Sequence, residues 1–190
     1  AAKQAAQLAI LSKNRFRMGI GTGWNEIEYE GLNENFRNRG KRQAEQVDLM
    51  RTLWESDSVT YKGQFHTIDK ASINPRPSLP IPIWFGGSAP ALLERCAILG
   101  DGWIPLMGAN EAAEKCINTL KKHRQAAELS WESFGIQAQA QFAGGNAQRW
   151  KSHAEKWKKM GCTHLAVATH NAEETNIKGH LNRVEEYLKA

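Results

Sequence analysis

The sequence predicts an α/β protein assembled from parallel β–α–β units. Three observations point there. Five short apolar segments recur along the chain, each followed by a stretch with the 3.6-residue periodicity of an amphipathic helix. Glycine, proline and asparagine gather at the junctions between segments. The 190 residues carry 41% hydrophobic and 24% charged side chains, the ordinary balance of a globular chain with a core to bury. Closed barrels and open doubly wound sheets are both built from such units.

Residues 1–13, "AAKQAAQLAILSK", read as the end of a helix, and the chain is expected to be cut from a longer protein. "RFRMGIG" (15–21) is a strand that places Phe16, Met18 and Ile20 on one face and Arg17, Gly19 and Gly21 on the other. A polar stretch leads to a strong helix near 39–55, with Val47, Met50 and Trp54 in one stripe. "VTYKGQFHTID" (59–69) has the alternation and central glycine of a β-hairpin. "NPRPSLP" is a rigid extended connector. "IPIWFGG" (81–87) is a second strand, with its helix at 89–100, and "DGWIPL" (101–106) a third, with a helix near 110–129. "FGIQAQAQF" (134–142) is a fourth, followed by a helix at 146–160 striped by Trp150, Ala154 and Trp157. "THLAVAT" (163–169) is a fifth, and the last helix, about 173–189, carries Ile177, Leu181, Val184 and Leu188 on one face. No repeat or low-complexity linker divides the chain, so residues 1–190 are expected to form a single domain.

Composition narrows the function classes. No apolar run approaches the ~20 residues that span a bilayer, and no signal peptide is visible at the start. Cys96, Cys116 and Cys162 are odd in number and never form a CxxC pair, which fits reduced thiols in a cytoplasmic protein. The net charge of +5 is mild. Its basic clusters, "LKKHR" and "KWKKM", sit on helices at outward spacings, so solvated helix faces are expected and a nucleic-acid partner is not. Cys162, His164 and His170 lack zinc-ligand spacing, GxSxG is absent, and no metal site is expected.

The glycines carry the argument further. "GIGTGWNEIEYEG" (19–31) ends the first strand with Gly19, Gly21 and Gly23 alternating. A dinucleotide fingerprint fails because position 24 is Trp, and a P-loop fails because no Gly-Lys-Ser/Thr exists. These glycines either relieve crowding at a strand end or admit a ligand. "WFGGSAPALLER" repeats the pattern: an apolar strand, Gly86-Gly87, the Ser88 hydroxyl, and a helix with Pro90 in its first turn. A glycine-rich turn feeding a helix N-terminus presents backbone N–H groups suited to a phosphate. Two such ends in one β–α protein point to one shared ligand, a small molecule, with Gly19 and Gly21 open to a flat ring.

Three blocks in order, "KQAAQLAILSKNRFRMGIGTGWNEIEYEGL", "RGKRQAEQVDLMRTLWESDSVTYKGQFHTI" and "NPRPSLPIPIWFGGSAPALLERCAILGDGWIP", resemble the bacterial luciferase-like flavin monooxygenase family. The likeness is greatest to its short single-domain oxidoreductases, many of which use the deazaflavin coenzyme F-420 (F420). It is specific from residue 3 to about 106 and a likeness of pattern beyond. The resemblance implies a TIM (β/α)8 barrel, of which this chain would supply roughly strands 4 to 8 with a β-hairpin insertion. It implies hydride or oxygen transfer at FMN or F420 with a small organic substrate, and a homodimer.

By the same resemblance, Gly21, Thr22, Gly23, Trp24 and Asn25 on one strand end, and Gly86, Gly87 and Ser88 on the next, would contact the flavin phosphate and ribityl chain. Trp103 would either line the barrel mouth or pack as a core indole. Arg39 and Arg42 would either reach an anionic group or stay solvated. Gln137, Gln139 and Gln141 share one strand face, where Gln139 or Gln141 would hydrogen-bond ring or substrate, or simply fill the barrel. His170 is the histidine placed at a strand end. Glu26, Glu28 and Glu30 are expected to complement a helix start. No general acid or base is assigned. A non-catalytic flavin-binding or partner subunit, and a TIM-barrel phosphate-ligand enzyme without flavin, are the competing readings.

Overall fold

In the computed structural model, residues 1–170, 172 and 176–190 are described. Helix α1 (Ala2–Leu11) buries only Ala5, Ala6 and Ala9. Strand β1 (Met18–Ile20) follows, then a short helix α2 (Glu26–Gly31), a 3-10 turn (Phe36–Asn38) and the long α3 (Arg39–Glu55). The hairpin is β2 (Val59–Lys62) and β3 (Thr67–Ala71), paired antiparallel. Then β4 (Ile83–Gly86), α4 (Pro90–Leu99), β5 (Gly102–Ile104), α5 (Glu111–Ala126), β6 (Gly135–Gln141), α6 (Ala147–Lys159), β7 (His164–Ala168) and α7 (Ile177–Lys189) alternate.

The five long-range strands form one parallel sheet in the order β1-β4-β5-β6-β7. Sequential order without a switch point is the arrangement of a barrel wall, not of a doubly wound sheet. The hairpin stands outside this sheet as a separate two-stranded unit, as expected of an insertion. Glu45 of α3 holds it: its carboxylate accepts from the backbone N–H groups of Gln64 (2.6 Å), Phe65 (2.9 Å) and His66 (2.7 Å), and from the His66 ring at 2.8 Å.

Alternation along the strands separates two faces. Ile83, Phe85, Trp103, Ile136 and Ala138 turn toward the helices and join Val47, Leu93, Cys96, Leu120 and Trp157 in the core. Burial pushes the Cys96 thiol up to about 12. On the inner face, Trp84 lies where a Cβ on Gly102 or Gly135 would stand. Those two glycines are therefore part of the wall's packing: a side chain on either strand would displace the indole.

Two sequence expectations change. Lys121 and Lys122 of "LKKHR" are exposed, but Arg124 turns inward and is 6% exposed. Its guanidinium donates to the carbonyls of Ser130 (2.9 Å), Ala97 (2.9 Å) and Gly100 (3.3 Å) and lies 4.6 Å from the Phe134 ring centroid. It closes the C-terminal end of α4, whose last carbonyls lack partners within the helix. The second change is in α7, whose expected apolar face is outward. Ile177 is 80% exposed, Leu181 and Leu188 are also exposed and Val184 is half-buried, while Gly179, Arg183 and Tyr187 are buried. The face at i, i+4, i+8 is the one that meets the Trp150 ring, 5.4 Å from Tyr187, and periodicity alone does not distinguish it from the apolar stripe beside it. The start expected for this helix at 173–175 lies outside the described residues.

Candidate functional site

The pairing of Ile20 with Phe85 places the C-terminal ends of β1 and β4 side by side, so the two glycine-rich turns are neighbours. The β1 turn is organised by Tyr29, whose hydroxyl donates to the Thr22 carbonyl. Gly23 has φ +74, a left-handed conformation that favours glycine. A Cβ on Gly21 would meet nothing within 4 Å, and one on Gly19 would meet only the Ile104 side chain at 3.4 Å. Asn25 caps α2, accepting from Ile27 N–H at 3.3 Å and donating to Glu28 at 3.2 Å. Glu26 and Glu28 occupy the first turn of that helix, as the dipole favours. Trp24 is 87% exposed and adds nothing to the turn's packing.

The β4 turn is held more firmly. Gly87 has φ +125, and a Cβ there would come within 2.9 Å of Leu92. Its N–H donates to the Ile104 carbonyl at 3.4 Å, and its carbonyl accepts the Trp103 indole N–H at 2.7 Å. Trp103 is fully buried. Of the two readings open for Trp103, the packed indole is the one found, and it serves the site from below by anchoring Gly87. Gly86 sits between the Ile20 and Ile104 carbonyls, 3.7 and 3.9 Å from where its Cβ would be. Ser88 is exposed. Helix α4 begins at Pro90 with Ala89 as its N-cap and no side-chain cap; Pro90 has no N–H and the Leu92 N–H donates to the Ala89 carbonyl at 2.9 Å, so the Ala91 N–H is the first-turn donor left for an external acceptor.

Arg39 and Arg42 are taken by the intervening loop. Arg42 pairs with Glu34, and Arg39 donates to the Phe36 carbonyl at 2.9 Å with its guanidinium 3.7 Å over the Phe36 ring. On the inner face the glutamines divide. Gln137 accepts from Arg17, whose guanidinium stacks 4.0 Å over Trp84, and His164 meets the other flank of Trp84 edge-on at 5.2 Å. Burial, with the nearby Arg17 charge, holds the His164 imidazole below its usual range. This layer is wall filling. Gln139 and Gln141, nearer the C-terminal end, are exposed. His170 is exposed just past β7. Among the described residues no three His, Cys, Asp or Glu side chains gather as a metal site, no disulfide forms, and no helix is long and apolar enough to cross a membrane.

A further glycine-rich turn at this end of the sheet carries the same local signal as the first two and is absent from the expected site. "FAGGNAQRW" (142–150) is a third glycine-rich strand-to-helix turn: Gly144 has φ +68 and the Asn146 side chain caps α6 by accepting from Arg149 N–H at 3.0 Å.

The profile of the luciferase-like monooxygenase family matches residues 1–188. This chain belongs to the luciferase-like monooxygenase family. An uncharacterised protein of Mycobacterium tuberculosis (strain ATCC 25618 / H37Rv) is 39% identical over 127 residues, 66% of this chain and 43% of that protein. The F420-dependent glucose-6-phosphate dehydrogenase of Amycolatopsis mediterranei (strain U-32) is 32% identical over 136 residues, 69% of this chain and 41% of the enzyme. The chain thus spans about two fifths of the length of these curated relatives. Among solved structures, an F420-dependent secondary alcohol dehydrogenase in complex with an F420–acetone adduct superposes with a TM-score of 0.66 at 18% identity, over 99% of this chain and 65% of that one. EDTA monooxygenase from Chelativorans sp. BNC1 gives 0.65 at 15% identity, over 83% and 44%. At these identities the structural likeness speaks for the fold: the curled parallel wall of a luciferase-like TIM barrel.

Proposed function

We propose that this chain is part of a deazaflavin- or flavin-dependent oxidoreductase, with five strands acting as the fourth to eighth of the barrel and the cofactor held across the ends of β1 and β4. The observation that carries the reading is the adjacency of two glycine turns, one open at Gly21 and one rigidly anchored at Gly87 beside an α4 start that no side chain caps. A phosphate is the group such a helix start accepts best. The Ser88 and Thr22 hydroxyls and the backbone of Gly23 and Gly86 would hold the phosphate and ribityl chain, with Gly87, whose N–H and carbonyl are engaged by Ile104 and Trp103, fixing the turn and leaving room beside it. Trp24 and Asn25 would flank it. F420 is the first choice because relatives in sequence and in fold carry F420 in their names; FMN presents the same phosphate.

The bound cofactor supplies the hydride- or oxygen-transferring ring. The chain's own contribution is position: Gly19 and Gly21 leave space along β1, and Gln139 and Gln141 offer amide hydrogen bonds on the same inner face. A second copy of the chain is the proposed partner. The test is a titration of the full chain with F420 and with FMN, followed by fluorescence quenching, for the wild type and Ser88→Ala. Saturable binding, weakened several-fold by the lost hydroxyl contact, is expected. A well-folded protein that binds neither cofactor overturns the oxidoreductase reading.

A further inference from the structure

The apolar stripe of α7 faces outward. Ile177, Leu181 and Leu188 are 80%, 59% and 75% exposed, and Val184 between them is half-buried. Among the described residues none of the four joins a hydrophobic cluster. Single exposed leucines are ordinary on a protein surface. A contiguous stripe of them marks an interaction face. The face that α7 does bury, Gly179–Arg183–Tyr187, lies about a third of a turn away around the helix, so holding α7 to the sheet does not use the stripe.

The spacing and its flank indicate what fits there. Positions 177, 181, 184 and 188 step by four, three and four. That is the narrow seam of two helices packed knobs-into-holes, not the broader face of a helix lying on a sheet. The pattern also reads the same from either end. A two-fold axis midway between Leu181 and Val184 therefore sets one α7 antiparallel to another, with Ile177 opposite Leu188 and Leu181 opposite Val184. Such an axis brings the same flank of both helices together. On the flank away from the sheet stand Lys178 and Glu185, two turns apart and both exposed. In the antiparallel pair Lys178 of one copy faces Glu185 of the other, twice over. Within its own chain Glu185 has Lys189 at 3.9 Å, the limit of an ion pair, so its carboxylate is free to turn to a closer cation. A lipid surface fits the stripe less well, because Glu185 and Glu186 on the polar side are repelled by anionic headgroups.

We propose that α7 is the docking surface for a second copy of this chain, with the two helices antiparallel, the Ile177–Leu188 stripe as the seam and two Lys178–Glu185 pairs along one flank. This rests on the reading that a second copy is the partner, gives that copy a surface, and stands without the cofactor. A seam of four residues per copy falls short of the ~800 Å² per partner of a standard interface, so the dimer is concentration-dependent and not permanent.

Sedimentation equilibrium of the full chain, from micromolar to millimolar concentration, tests this. The wild type is expected to pass from monomer to dimer over that range. Leu181→Asp, at a position too exposed to disturb folding, raises the dissociation constant by about tenfold or more. Lys178→Glu sets acid against acid and weakens the dimer several-fold. Adding Glu185→Lys to it reverses both signs and restores the wild-type affinity, which a purely apolar contact would not do. A dimer indifferent to all three variants overturns the α7 surface and keeps the second copy. A monomer at every concentration overturns both. Neither result touches cofactor binding, which the F420 and FMN titration reads separately. A dimer that Leu181→Asp weakens and charge reversal leaves unchanged overturns the antiparallel arrangement. Binding of a monomeric chain to phosphatidylserine–phosphatidylcholine vesicles, lost in Leu181→Asp, assigns the stripe to a lipid surface and overturns the proposal.

Discussion

Gly86 and Gly87 are adjacent in sequence and opposite in tolerance, which makes them a direct probe of the β4 turn. At Gly87 an alanine must adopt φ +125 and place its Cβ 2.9 Å from Leu92. Holding a non-glycine residue in such a region costs about 1–3 kcal/mol. The Leu92 contact adds less, because the atom met is the end of a flexible side chain. At Gly86 the new Cβ meets two carbonyls at 3.7 and 3.9 Å, which is ordinary contact, so Gly86→Ala stays within about 0.5 kcal/mol of the wild type. For a chain of this size the Gly87→Ala cost corresponds to a Tm lower by roughly 2–12 °C. Urea denaturation and thermal melts measure the pair, and cofactor titration of each folded variant measures the site. Equal damage at the two positions would refute backbone conformation as the reason for glycine at 87. Unchanged F420 and FMN affinity in a Gly87→Ala protein that shows the stability loss would remove this turn from the binding reading.

Other consequences are independent of the turn. Arg124→Ala leaves the Ala97, Gly100 and Ser130 carbonyls without their donor and is expected to destabilise by about 3–5 kcal/mol; a urea midpoint within about 1 kcal/mol of wild type would contradict that role. Gly135→Ala drives a Cβ into the Trp84 ring, so a loss of about 1–3 kcal/mol with a changed near-ultraviolet circular dichroism signal is expected, and an unaltered spectrum would contradict the packing. At Glu45, burial acts to raise the pKa, but the hydrogen bonds from the His66 ring and the Phe65, Gln64 and His66 amides outweigh it and hold the carboxyl below its ordinary 4.5. A folded-state pKa below the unfolded one means that the hairpin's tether is intact above the unfolded value and is lost as pH falls through the folded one. Hydrogen exchange at the Phe65 amide should therefore quicken in acid relative to a core amide in the sheet, and a constant ratio across that range would argue against the tether.

How much of this was legible in the sequence follows from the range of the interactions involved. Elements came through because their signals are local: apolar runs, 3.6-residue stripes, and glycine or asparagine at the ends. The helix start at Glu26 and the hairpin at Gly63 are of this kind. The barrel, by contrast, came from the resemblance and was then seen in the unswitched strand order. What local pattern could not show is which partner a side chain finds. "LKKHR" reads as a basic cluster of two lysines, a histidine and an arginine on a solvated helix, and only the fold places the carbonyls of the α4 terminus beside Arg124. In α7 the stripe of Ile177, Leu181, Val184 and Leu188 is visible in the sequence, but only Val184 of the four is even half-buried, and burial goes to the Gly179–Arg183–Tyr187 face.

The glycines that first drew notice resolve into two physical kinds, and the distinction bears on where a ligand can lie. Gly102 and Gly135 are small because Trp84 needs the room; the position a Cβ would take on either is filled by the indole. Gly21 is small with nothing beside it, and Gly87 is glycine for its backbone angle while its carbonyl is fixed by Trp103. The first kind sits at the starts of strands and the second at their ends. The Arg17–Trp84–His164 layer occupies the inner face at the strand starts and itself lines a cavity of about 1350 Å³ there, while the C-terminal ends carry the open glycine turns, the end where ligands sit in this architecture. Gly144 and Gly145 belong to that open end too. Of these two, Gly144 has nothing within 4 Å of where its Cβ would stand, while the position on Gly145 is taken by the Trp150 indole, so the third turn is open at Gly144 and filled one residue later.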